Sequence, residues 1–393
     1  MRTTLTTVFC LALVYFGTAQ QTVTFLLEEA PPAGFTTVGI RGSVPPLSWE
    51  KTTALRATNG QFTTTITFPA ADDPLEFKFV YHATAGAEPT WEGTDNRLLT
   101  FPPASDTYVA KWEVLPVIDP ATVPPLTVAQ LQADYPLIEK AIRDLHPGAY
   151  RYLSEEELEA ALARLKESFS TPLTVGEAYL ALNKLTAALR CDHTGSPLYN
   201  QSAVVNSILH QQADKLPFTF SWRDERMIVR YDATRDKLLP VGSEVLSLDG
   251  RPVAEVLRDL RPYVAADGPA LAPVDAKLSL RGYPFGYDAF DALYPLVFSL
   301  PEEGLTITYR INPAGPVRKA TVTPTTREAR TQVLGERHPD FPQRADDQYR
   351  LDVREDGVAI LTIGNFLGQG YGALELDYRE FFAEVFAKIK EVG

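Results

Sequence analysis

The spacing of apolar positions changes twice along this chain, and the changes divide it. Between residues 20 and 115, apolar and β-branched residues come in short runs, "TVTFLL", "TTVGIRGS", "QFTTTITF", "LEFKFVYH" and "TYVAKWEV", parted by clusters of Pro, Gly, Asn and Asp. Such runs at regular short spacing predict an all-β, immunoglobulin-like sandwich. "PVIDPATVPP" follows, within a Pro-rich linker (116–126) expected to be extended and semi-rigid. From 127 to 200 the period becomes helical. Val128, Leu131, Tyr135, Ile138, Ile142 and Leu145 share one face, Thr127 can cap it, and Pro147-Gly148 ends it. Ser154 with Glu157 and Thr174 with Glu177 are capping boxes opening two further helices. Three amphipathic helices in a row predict a helical subdomain.

Residues 215–330 return to a β-rich pattern. "EVLSLDGRPVAEVLRDL" reads as a strand, an Asp249-Gly250 turn, a short strand and a helix, and "LTITYRI" with "RKATVTPT" reads as a hairpin. After an irregular stretch, the segment 345–393 gives a buried strand in "GVAILTIGNF" and a helix in "FFAEVFAKIKEVG". Phe381, Phe382, Val385, Phe386, Ile389 and Val392 would lie on one broad face of that helix. The Gly-rich run between them has Gly368, Gly370 and Gly372 in alternation and no Walker lysine, so it is not read as a phosphate loop.

Composition narrows the setting. Arg2 followed by "VFCLALVYF" and by Gly17 and Ala19 has the form of a secretory signal peptide (1–19), cleaved after Ala19, which predicts an exported protein. No later stretch is apolar enough to span a bilayer, so no membrane insertion is expected. A net charge of −13 argues against nucleic acid, whose phosphates require Lys and Arg. Cys191 is the one cysteine left after signal removal, so no internal disulfide is expected.

Two groups of residues carry candidate chemistry. Trp49, Trp91 and Trp112 are three of the four tryptophans, and all fall in the first region. A rigid indole face suits the apolar face of a sugar ring, although large aromatics in a small sandwich are usually core, as expected for Trp112. Around Trp91, "PTWEGTDNR" supplies Glu92 and Asn96 for sugar hydroxyls, and Lys78 interrupts an apolar strand and must aim its amine at water or a ligand. The second group is His193 with Thr194 in "LTAALRCDHTGSP". A lone His at a helix end commonly caps it, and His146 fits that role. His82, His210 and His338 have no companions at metal-ligand spacing, so neither a metal nor a cofactor is expected.

The order "VTFLL…GS…PLSWE…FKFV…WEGTDNR" resembles the family-20 carbohydrate-binding modules, the starch-binding domains. The resemblance covers nearly all of 21–113 and implies an α-glucan partner stacked on Trp49 and Trp91, with Lys78, Glu92 and Asn96 as hydrogen-bonding groups. The tyrosines of that family's second site are not matched, so one site is implied. "LIEKAIRDLHPGAYRYLSEEEL", "PLTVGEAYLALNKLTAALRCDHT", "LPVGSEVLSLDGRPVAEVL" and "YRLDVREDGVAILTIGNF" occur in the order found in C-terminal-processing serine peptidases, most nearly the branch with a tricorn-like core. That resemblance, over 127–393, implies a PDZ-like domain able to hold a peptide C-terminus, an α/β peptidase core beginning near 345, and an active-site role for His193. Cys191 and Asp192 stand where that family's motif has Asp and Gly. The family's catalytic serine falls beyond the helix that ends near Gly393, so this chain is expected to be a truncated peptidase without hydrolytic activity. Three readings stay open: the front part of an exported glucan-tethered serine peptidase, an inert glucan-binding protein, and a peptide-binding interaction protein.

Overall fold

The computed structural model describes residues 20–29, 31, 34–69, 74–94, 96–101, 103, 105–198, 201–284, 286–300, 303–343, 349–364 and 377–392. The predicted signal peptide and the alternating glycines at 368–372 lie outside these. The chain forms two compact units, 1–116 and 117–393.

In the first unit the strands are β1 (Gln21–Leu27), β2 (Thr37–Gly42), β3 (Thr53–Ala54), β4 (Arg56–Thr58), β5 (Gln61–Phe68), β6 (Leu75–His82), β7 (Thr90–Trp91), β8 (Arg97–Leu99) and β9 (Thr107–Ala110). One sheet has the order β4-β5-β1-β9, the other β3-β2-β6-β7 with β8 also on β6. All pairings are antiparallel except β1 with β9, which run parallel. Alternation decides which side chains go inward. Val23, Phe25 and Leu27 of β1 and Phe62, Ile66 and Phe68 of β5 share one core with Val38, Ile40, Phe77 and Phe79 of the other sheet. Phe25 meets Phe77 edge-on, centroids 5.1 Å apart. Each such buried side chain contributes about 1.5–3 kcal/mol.

The second unit opens with α1 (Val128–Lys140), α2 (Glu155–Ser168) and α3 (Val175–Ala188). The three N-caps Thr127, Ser154 and Thr174 each form a reciprocal capping box with Gln130, Glu157 and Glu177. Leu131, Leu158, Leu162, Leu165 and Leu185 build the core between these helices. There follow α4 (Ala203–Asn206), β10 (Phe218–Arg223), β11 (Arg226–Asp232), β12 (Glu244–Leu248), β13 (Arg251–Pro252), α5 (Val253–Leu260), α6 (Leu271–Lys277) and α7 (Ala289–Phe298). Last come β14 (Leu305–Arg310), β15 (Arg318–Val322), α8 (Arg327–Arg337), β16 (Tyr349–Val353), β17 (Ala359–Ile363) and α9 (Tyr378–Val392). The main sheet has the order β10-β11-β12-β14-β15, with β13 folded back on β12. Asp249 (φ 46°) and Gly250 (φ 76°) supply the two left-handed residues that such a tight hairpin requires.

Two buried cations of this core, Arg330 and Lys215, are held by partners. Arg330 of α8 reaches Asp291 of α7 (Nη1–Oδ1 2.9 Å) and donates to the Leu216 carbonyl oxygen at 3.2 Å. Lys215 donates to the carbonyl oxygens of Leu209 and Asp291 at 2.9 and 3.0 Å. Removing a single member would strand an unpaired charge, which makes α7 and α8 a fixed wall.

Past Pro116 the Ile118 N–H donates to Ser207 Oγ at 2.7 Å, and Gln212 Nε2 donates to the Ile118 carbonyl oxygen at 3.0 Å. Two expectations are revised. Part of the stretch read as irregular is α8, pinned by the Arg330 ion pair. The strand in "GVAILTIGNF" is half-exposed rather than buried. Among the described residues β17 pairs only with β16, and Ile360 is 44% exposed.

Candidate functional site

On the outer face of the β3-β2-β6-β7 sheet, period-2 alternation aligns Arg41 of β2 with its register partner Lys78 of β6. Trp91 of β7 lies opposite Val80, two residues along the same face. The Trp49 ring, carried on the loop between β2 and β3, stands 6.1 Å from the Trp91 ring at an interplanar angle of 45°. Trp91 is 37% exposed and Trp49 half-buried, so neither ring is sealed in the core. Trp112, by contrast, is buried against Tyr81.

Arg41 holds this arrangement. Its Nη1 donates to the Trp49 carbonyl oxygen at 2.8 Å, its Nε to Thr52 Oγ1 at 2.8 Å, and its guanidinium lies 5.2 Å from the Trp91 ring centroid. Thr52 is bonded in turn to His82 Nε2 at 2.9 Å. Asn96 is half-buried and donates from Nδ2 to Glu76 Oε2 at 2.9 Å. Thus Trp49, Trp91 and Lys78 come together on one face, with Asn96 anchored along the same row through Glu76.

Glu92 does not join them. Its Oε1 accepts from the Phe79 N–H and from Arg97 Nε, both at 2.9 Å, and its Oε2 from Arg97 Nη2 at 2.7 Å. Both side chains are fully buried. The residue after an outward-facing Trp91 points inward, so Glu92 is a core ion-pair member and its expected sugar contact is withdrawn.

The second unit carries a cleft of about 880 Å³ lined by His193, Thr194, Ser196, Tyr179, Lys277 and Tyr287 among others. His193 follows the end of α3, where Arg190 takes a left-handed conformation (φ 53°) and turns the chain outward. The imidazole is exposed and has no hydrogen-bond partner among the described residues. Asp192 accepts a bond from Lys277 Nζ, which also donates to the Ala265 carbonyl oxygen at 2.9 Å. Burial pushes the Lys277 ammonium below its ordinary pKa. Burial pushes the Tyr179 phenol up to about 12, keeping it a donor to the Ser196 carbonyl oxygen at 3.3 Å. Lys277, Arg281 and Arg327 make the lining cationic, and Asp192 is its one carboxylate among the described residues.

Under the cleft wall, His210 is 2% exposed and stacks on Tyr287, centroids 3.8 Å apart. Its Nε2 lies 2.7 Å from the Leu198 carbonyl oxygen, and desolvation lowers its pKa to about 4, so it is neutral and donates there. His146 acts locally, its Nδ1 accepting from the Gly148 N–H at 3.1 Å.

No family model matches the sequence. No curated protein matches it either. Two solved structures of CPAF align with part of the chain. Mature CPAF does so at 18% identity over 50% of this chain and 34% of that one, with a TM-score of 0.33. Mature CPAF complexed with lactacystin does so at 19% identity over 50% and 34%, with a TM-score of 0.35. The chain spans about a third of the length of those structures.

Proposed function

We propose that this is an exported α-glucan-binding protein whose second unit is built on a serine-peptidase plan. The observation that carries the first part is the Trp49–Trp91 pair: two partly exposed indole rings set at 45° and braced by Arg41. Tilted faces suit a curved α-linked glucan, and pre-set rings lose little freedom on binding. Lys78 and Asn96 supply the polar contacts beside them. The resemblance to starch-binding modules names the same two tryptophans.

Titration of the full chain with β-cyclodextrin tests the reading. Trp49→Ala and Trp91→Ala should each cost about 2 kcal/mol, roughly 30-fold in Kd, as truncation of an aromatic anchor does. Equal binding by wild type and both variants would refute it.

A second reading rests on the cleft. His193 lines it without a competing partner, in the position that the resemblance assigns to an active-site base. Its cationic lining suits a peptide carboxylate. On this reading the unit binds peptides, and hydrolysis needs a nucleophile and an oxyanion hole brought to His193. Anisotropy of a labelled peptide with a free C-terminus, against its amidated form, tests it; indifference to the carboxylate would count against it.

A further inference from the structure

Beside the cleft, three side chains of different chemistry converge. Cys191, His193 and Asp267 each present a ligand atom, and the three atoms lie within 4.8 Å of one another. We infer that they form a zinc-type metal site, with a thiolate, an imidazole nitrogen and a carboxylate oxygen as ligands and a fourth position open to water. The inference rests on these three side chains; a metal held by His193 would occupy the imidazole nitrogen that the peptidase reading uses as a base, so the two roles of that side chain exclude one another while the ion is bound.

The donor set is the first argument. Zn²⁺ takes sulfur, nitrogen and oxygen together, and three protein ligands plus one open position is a common arrangement for a site that meets solvent. Tetrahedral bonds of about 2.0–2.3 Å would put the ligand atoms about 3.4–3.6 Å apart. The cluster therefore needs to close by at most about 1.4 Å, within the rotamer reach of the two exposed side chains, His193 and Asp267, and the half-buried Cys191. Charge also suits a divalent cation: a thiolate and a carboxylate neutralise it, while neighbouring Asp192 is already paired with Lys277.

The backbone is the second argument, because it holds the two contributing segments together before any ion arrives. The Asp192 N–H donates to Asp267 Oδ1 at 2.9 Å. The Gly268 N–H donates to the Arg190 carbonyl oxygen at 3.0 Å, with Gly268 at φ 77°. The first bond also orients the Asp267 carboxylate, leaving Oδ2 available, as second-layer contacts do around metal ligands. Cys191 is an unbonded thiol, and Asp267 is exposed at the rim of a neighbouring recess that Cys191 also lines.

Cobalt(II) titration of the reduced full chain tests the site. The expected result is a thiolate-to-cobalt charge-transfer band with the visible bands of a tetrahedral ion, both abolished by equimolar Zn²⁺. Cys191→Ser should remove the charge-transfer band. His193→Ala and Asp267→Asn, both at exposed positions, should weaken binding at least about tenfold, since even outer-layer changes cost that much. Zn²⁺ should also protect Cys191 from alkylation by iodoacetamide, and acidification should release the metal because the ligands bind it deprotonated. Thermal unfolding of the variants without metal should match wild type, separating ligand loss from misfolding. Absence of the thiolate band, its persistence in Cys191→Ser, or unchanged affinity in both other variants would overturn the assignment.

Discussion

Glu92→Ala separates a structural carboxylate from a sugar-binding one. In the folded first unit the Arg97 guanidinium is fully buried, lies over the Phe79 ring, and donates two hydrogen bonds to Glu92 and one each to the carbonyl oxygens of Val114 and Lys111, at 3.0 and 2.8 Å. Truncating Glu92 leaves two of these hydrogen bonds and a buried charge without its counter-ion, which costs about 3–5 kcal/mol. The Phe79 N–H loses its acceptor as well, a further ~1 kcal/mol or more unless water enters. About 4 kcal/mol is a large share of the ~5–15 kcal/mol that holds a domain folded. In a unit of this size it corresponds to a fall in Tm of more than about 15 °C. Calorimetry on the full chain should show the transition of the first unit moving down while that of the second stays in place. Glu92→Gln, which keeps one acceptor oxygen, should fall between. Replacing both partners with apolar residues, Glu92→Leu with Arg97→Met, should recover part of the loss, because desolvation of both charges is then avoided. If Glu92→Ala shifts stability by less than about 1 kcal/mol yet abolishes cyclodextrin binding, Glu92 is a ligand contact and the ion-pair reasoning fails.

Two further outcomes follow from the second unit. His210 has a folded pKa near 4 against about 6.5 unfolded, so its contribution is complete above pH 6.5 and is lost as pH falls toward 4, at most roughly 3 kcal/mol. Denaturant unfolding across that range should show this slope in wild type and a flatter one in His210→Phe; parallel slopes would refute the assignment. In hydrogen exchange, the amides of β16 and β17 should exchange well before those of β11 and β12, since the hairpin has no third strand among the described residues and Val353, Val358 and Ile360 stay over 40% exposed. Equal protection would show that the hairpin has another partner.

What could be read in the sequence was mostly local. The capping boxes at Ser154 and Thr174 are reciprocal contacts spanning three residues, so residue order alone specifies them. The Asp249-Gly250 hairpin is equally local, its left-handed geometry following from the residue pair. Glu92 was misjudged although the signal was present: in a strand, the neighbour of an outward Trp91 faces in, and Arg97 five residues later offers the counter-ion. Arg41 was missed for a related reason, since a single charge in "TTVGIRGS" looks like an ordinary outer-face residue until Trp91 is found beneath it. Asp267 had no local signal at all. It meets Cys191 and His193 only because the chain after α5 returns to the end of α3, a contact between remote segments that periodicity does not encode.

The parallel pairing of β1 with β9 has a consequence for how the first unit comes into being. Its opening strand acquires its second neighbour only when residues 107–110 are in place, so the sheet is closed by nearly the last segment of that unit to be synthesised. Until then one flank of β1 is bare backbone, a template for any passing strand. A fragment stopped before Thr107 would keep both tryptophans of the proposed sugar face and still be prone to aggregate. Intact binding residues would then be mistaken for a failed site when the fault lay in an unfinished sheet.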